Sequence, residues 1–255
     1  MPLHKSCHEI AGSWNSAKPV HESMTLLTLR RALETARAKS PSYAGGPLLH
    51  GIDLTALPRW DAEDYADPRE APLKAQEFLR GVSWPEAPPS LSGLGEFKPG
   101  RLSKVLEWSR FAVELALGKV DSGPQFQLLA SRFEGTQVFL KGPCTWGLKP
   151  ILASHAPHRA AGILLHLIQD SFSHGPAEPT ADVPLPGKTL RQRMENTQGA
   201  LPAIETGARL IQMIEASSPI DAIMRFLDQN VFKLAGSLPL VSPSEGPRQA
   251  AQPLQ

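Results

Sequence analysis

The sequence predicts an all-α fold: a single-domain bundle of roughly six to eight helices joined by long Pro/Gly-rich loops. Apolar residues recur at intervals of three and four in several stretches bounded by proline and glycine, the period of a helix with one buried face. No stretch alternates apolar and polar residues strongly enough to require a sheet. The 255 residues are enough to bury a substantial core, while 25 prolines and 20 glycines are many for a helical chain and point to long connections.

Residues 1–18 read as an irregular N-terminal arm, residues 19–235 as the helical domain and residues 236–255 as a disordered tail. The first helix follows Val20-His21-Glu22, carries Leu26, Leu29, Leu33 and Ala36 on one side, and ends by Ser40-Pro41, where proline cannot continue the ladder. A turn-rich stretch over 41–70 contains Gly45-Gly46-Pro47 and an acidic run (Asp61, Glu63, Asp64, Asp67) that reads as a solvated loop. Pro72 to Arg80 reads as a short helix closed at Gly81. A Pro/Ser/Gly loop leads to the helix of Arg101 to Leu117, with Gly118 as its stop, and Pro124 to Leu140 is a further candidate with Gly135 in its middle. Pro157 to Ser173 forms the central helix. Thr189 to Glu215 holds one or two helices interrupted near Gly199 and Pro202. Ser218-Pro219 reads as a helix start, serine as cap and proline in the first turn, ahead of Ile220, Ile223, Met224 and Leu227.

Composition limits the function classes. The net charge of +1 argues against a strongly basic nucleic-acid surface, so nucleic acid is the weaker choice of partner. Cys7 and Cys144 allow at most one pair, which leaves the redox compartment open. There is no apolar run of transmembrane length, and the opening MPLHKSCHEIAGSW lacks the apolar core of a secretory signal. The expectation is a soluble protein, cytoplasmic or exported by a signal-independent route.

The chemistry concentrates between His158 and Pro176. His166, Asp170 and His174 stand four apart, so on a helix each lies one turn above the last. Ile163, Leu164, Leu167 and Ile168 cover the adjoining faces, and Gly162 leaves room for a close approach to the backbone. Imidazole nitrogen and carboxylate oxygen are ordinary donors to zinc and similar ions, and this spacing lets them converge on one. The plainer reading makes His166 a hydrogen-bonded core histidine, Asp170 a polar group at the helix end and His174 a surface residue.

LLHLIQDSFSHG, residues 164–175, resembles the helix of the zinc-dependent phospholipase C and single-strand-specific nuclease superfamily, in particular its bacterial branch with a His-x-x-x-Asp helix running into Ser-Phe-Ser-His. Val20 to Thr25 is similar to the histidine-bearing start of that family's first helix. Ala75 to Glu86 is similar to the helix and loop that deliver an aspartate after a tryptophan.

The resemblance implies an all-helical domain in which ligands from separate helices gather zinc ions that activate water and clamp a phosphodiester. Carried over, His21, His166, Asp170 and His174 would be metal ligands, Asp170 the catalytic bridge, and Glu86 a replacement for the expected aspartate. The chain departs from the pattern where further ligands are expected: it has Arg132, Gly135 and Lys141 there, and no histidine beyond His174. Arg132 or Lys141 can instead meet a phosphate. The implied activity is a metal-dependent phosphodiester hydrolase acting on a phospholipid headgroup or another phosphodiester, with a reduced site of about one or two zinc ions. The alternative is a catalytically inactive member of the fold that binds a protein partner, for instance as a secreted bacterial effector.

Overall fold

The computed structural model describes residues 20–63, 70–82, 99–120, 155–173, 188–197 and 199–232, with side chains in the third segment described from Val105 onward. Among them are seven α-helices and no strand, an all-α bundle. The helices are α1 (Val20–Lys39), α2 (Leu73–Val82), α3 (Pro99–Ala116), α4 (Ala156–Ser173), α5 (Leu190–Asn196), α6 (Ala200–Glu215) and α7 (Ile220–Leu227), the last running into a π-helical turn at Asp228–Phe232. The arm, the tail, the candidate helix Pro124 to Leu140, and Cys7 and Cys144 lie outside the described residues.

Several helices carry their own punctuation. α1 has Glu22 in its first turn and Arg37 and Lys39 in its last, so charge complements the dipole at both ends. α3 closes with Gly118 at φ +66°, its N–H donating to the Leu115 carbonyl and that of Lys119 to the Glu114 carbonyl. α5 opens on a capping box: the Thr189 hydroxyl accepts from the Gln192 N–H, and the Gln192 side chain accepts from the Thr189 N–H. The break expected near Gly199 is there, with Gly199 at φ +74°. Pro202 falls in the first turn of α6, where its missing N–H leaves no helical bond unmade. Ser218 is not the cap of α7. Pro219 takes the extended cap conformation (φ −54°, ψ 138°), and its carbonyl accepts from the Ala222 and Ile223 N–H groups.

α4 is the axis of the bundle. It packs against α1, α2, α3, α6 and the π-helical turn. Ala160, Ala161, Leu164, Leu165, Leu167 and Ile168 are all buried, so apolar side chains surround most of it. Where α2 crosses α4 the two backbones touch. A Cβ on Gly81 would overlap the Arg159 carbonyl, and one on Gly162 would overlap the Phe78 carbonyl. Gly81 therefore does not end its helix, as its sequence position suggested; it lies inside α2 and lets the crossing close. Beside the crossing, the buried Glu77 carboxylate pairs with Arg80 and, at 2.7 Å, with Arg159. The close approach sets Val82, the last residue of α2, next to His166 on α4.

The connection after α1 is fastened to two distant elements. The Glu215 carboxylate, at the end of α6, accepts from the Tyr43 hydroxyl and from the N–H groups of Gly46, Leu48 (2.7 Å) and Leu49 (3.1 Å). Further on, the Leu190 and Arg191 N–H groups donate to the carbonyls of Ala62 (2.6 Å) and Trp60 (2.9 Å). No helix among the described residues is long and apolar enough to cross a membrane.

Candidate metal centre

The first turn of α1 meets the last turns of α4, and three donor side chains come together there. His21, His166 and Asp170 offer ligand atoms that all lie within 4.8 Å of one another. His166 Nε2 is 3.1 Å from Asp170 Oδ2, one turn along α4, and His21 Nε2 reaches across to within 4.0 Å of Asp170 Oδ1. The carboxylate thus faces the Nε2 atoms of both imidazoles, which stack nearly parallel with ring centroids 4.9 Å apart and planes 13° apart. Exposure falls inward: the side chain of His21 is 38% accessible, that of His166 29% and that of Asp170 15%. The cluster is most open to solvent at His21, on α1.

The remaining ring nitrogens decide what the inner ones can do. His166 Nδ1 lies 2.6 Å from the Val82 carbonyl oxygen. A carbonyl only accepts, so Nδ1 carries the proton and, in the neutral ring, Nε2 keeps its lone pair. His21 Nδ1 lies 2.9 Å from Gln169 Oε1, while Gln169 Nε2 donates to Thr25 Oγ1 at 2.9 Å. With the amide oxygen facing His21, the His21 proton belongs on Nδ1, and in the neutral ring Nε2 keeps its lone pair as well. Ligating histidines are ordinarily held in this way, the outer N–H on an oxygen and the inner nitrogen turned to the ion.

A neutral Nε2 lone pair against a carboxylate oxygen at 3.1 Å is repulsive, so that gap calls for a positive charge. In the metal-free protein a proton on Nε2 supplies that charge when the imidazole is protonated. Burial pulls the His166 imidazole down, but the hydrogen bond and charge of Asp170, the Val82 carbonyl and the Glu22 charge together outweigh burial and hold it above its ordinary 6.5. A divalent cation would take the same lone pair. Two imidazole nitrogens and one carboxylate oxygen form a donor set that fits zinc and leaves a fourth position for water or substrate. At bond lengths of about 2 to 2.2 Å, neighbouring donors in a tetrahedral site stand roughly 3.3 to 3.5 Å apart. The His166–Asp170 pair is near that spacing, and His21 must move inward to reach it.

Of the residues singled out from the sequence, His21, His166 and Asp170 meet. Glu86, Arg132, Lys141 and His174 lie outside the described residues. Sequence reasoning did not find Gln169, Thr25 or the Val82 carbonyl. Gln169 left one signal, a polar residue amid the apolar run of α4; Thr25 left another, one helical turn after His21. The fold and the cluster define an all-α bundle with three side chains that can hold a metal ion. Comparison of the chain with protein-family models, with curated proteins and with solved structures finds no match.

Proposed function

We propose that the protein is a metal-dependent phosphodiester hydrolase with a reduced, phospholipase C-like site centred on His21, His166 and Asp170. The observation that carries this reading is the convergence of two imidazole nitrogens and a carboxylate across α1 and α4, each imidazole holding its outer N–H on an oxygen. When bound, zinc would supply positive charge that lowers the pKa of water and stabilises charge on a phosphoryl oxygen. The chain's own residues do the rest. His166 and Asp170 are fixed on one rigid helix, so their donor atoms keep a constant separation. Asp170 Oδ1, on the His21 side, is placed to accept a hydrogen bond from the attacking water. His21 lines the open side, where substrate enters. The choice of a phosphodiester rests on the resemblance of residues 164–175, and zinc on the donor set.

The test is hydrolysis of bis(p-nitrophenyl) phosphate and of a phosphorylcholine ester by the zinc-loaded protein. Activity on either that falls at least about a hundredfold in Asp170→Asn and His166→Ala supports the reading. Activity that is absent, or equal in wild type and variants, favours the second reading, a helical scaffold that binds a protein partner. That alternative draws its support from Arg132, Gly135 and Lys141 standing where the resemblance expects ligands.

A further inference from the structure

One buried polar side chain lies against the cluster without being a donor to it. Gln169 is 2% exposed, on α4 between His166 and Asp170 in sequence, and it bonds to two residues of α1. Its amide oxygen holds His21 Nδ1, and its amide nitrogen is held by Thr25 Oγ1, itself fully buried. The two imidazoles of the cluster are therefore fixed by different means. His166 rests on a backbone carbonyl, which can only accept. His21 rests on an amide, which accepts through one end and donates through the other. Turned end for end, the Gln169 amide would donate to Nδ1, the ring proton would sit on Nε2, and that N–H would face Asp170 Oδ1. His21 would then have no lone pair for a cation. In the structure the amide stands the other way round, its oxygen on His21 Nδ1 and its nitrogen on the Thr25 hydroxyl, which here accepts although a hydroxyl can also donate.

We infer that Gln169, held by Thr25, is a positioning residue that sets the tautomer of His21 and through it the affinity of the cluster for a divalent cation. The second half rests on the proposed metal centre; the first half is a property of the metal-free protein.

The experiment combines nitrogen NMR of the histidine rings in metal-free protein with zinc affinity measured by competition against a chromophoric chelator. It uses the full chain as wild type, Gln169→Leu, Gln169→Glu, Thr25→Val and His21→Ala. In the wild type His21 is expected in the Nδ1–H form. Gln169→Leu and Thr25→Val shift it toward Nε2–H and weaken zinc binding about 10- to 100-fold. Gln169→Glu, whose ionised carboxylate can only accept, keeps the Nδ1–H form, and the His166 tautomer is unchanged in the Gln169 and Thr25 variants. Thr25→Val preserves shape, so it carries the test should Gln169→Leu not fold. A His21 tautomer indifferent to Thr25→Val overturns the inference. Zinc affinity lost in His21→Ala but unchanged in Gln169→Leu and Thr25→Val overturns it too, with the metal centre intact. No zinc binding by wild type overturns the metal centre and the affinity half together, a tautomer shift then supporting the first half alone.

Discussion

His166 and Asp170, one turn apart on the central helix, face each other through Nε2 and Oδ2 at 3.1 Å, while Nδ1 of the same imidazole is committed to the Val82 carbonyl of α2. The pair can exist as imidazolium and carboxylate, or with a cation between the two atoms. The two states exclude one another, because both use one lone pair. Everything expected of the site follows from that competition.

The pH dependence has opposite signs with and without metal. The His166 value is raised on folding, so in the metal-free protein the pair contributes stability that is fully present below the ordinary value of 6.5 and is lost as pH rises through the folded value. In chelator-treated protein, His166→Ala should therefore cost more stability at pH about 5.5 than at pH about 8.5. Zinc must displace that proton, so its affinity should rise over the same interval with release of about one proton per ion. Chemical denaturation at both pH values and calorimetric titration in buffers of different ionisation enthalpy check the two halves.

The crossing of α2 and α4 should be intolerant of a single methyl group. Gly162→Ala sets a Cβ against the Phe78 carbonyl, a backbone atom of the facing helix that cannot swing aside, so the helices must move apart. A loss of about 2 to 3 kcal/mol is expected. Because the displaced helix carries Val82, His166 should also lose its outer hydrogen bond and bind zinc more weakly. Urea denaturation and zinc titration of Gly162→Ala check this.

Glu215 should fasten the connection after α1 to the end of α6. Its carboxylate accepts from three backbone N–H groups, so Glu215→Ala leaves donors at Gly46, Leu48 and Leu49 without it and should cost about 2 to 3 kcal/mol. Burial, then the hydrogen bond to Glu215 and its charge, push the Tyr43 phenol up to about 12. Its neutral form is favoured by folding, so this contribution holds below the ordinary value of 10.0 and is lost as pH climbs toward 12. The chain has two tyrosines, so phenolate absorbance in a Tyr65→Phe background reports Tyr43 alone, and Glu215→Gln should lower its titration midpoint.

Much of the helical frame was legible in the residues themselves. Apolar period and proline stops placed α1, α3 and α4 nearly where they lie, since those signals are local. What local signals missed depends on a second helix. Gly81 looked like a stop, yet it serves a crossing visible only once α4 is beside it. Ser218 looked like a cap, yet the extended backbone at Pro219 moves the helix start one residue on. His166 and Asp170 announced themselves by spacing, because one helix sets their register. His21 came from the family resemblance, and Gln169, Thr25 and the Val82 carbonyl required knowing which turn of α1 and which end of α2 abut α4. A hydrogen-bond partner on another helix leaves no period in the chain.

Zinc content is the most direct test of the central claim. Protein purified without added metal, equilibrated with zinc and dialysed, should retain about one equivalent or more, and His21→Ala, His166→Ala and Asp170→Asn should each retain less than about a tenth. Wild type that retains less than about a tenth of an equivalent, or variants that hold zinc as well as wild type does, would contradict the account.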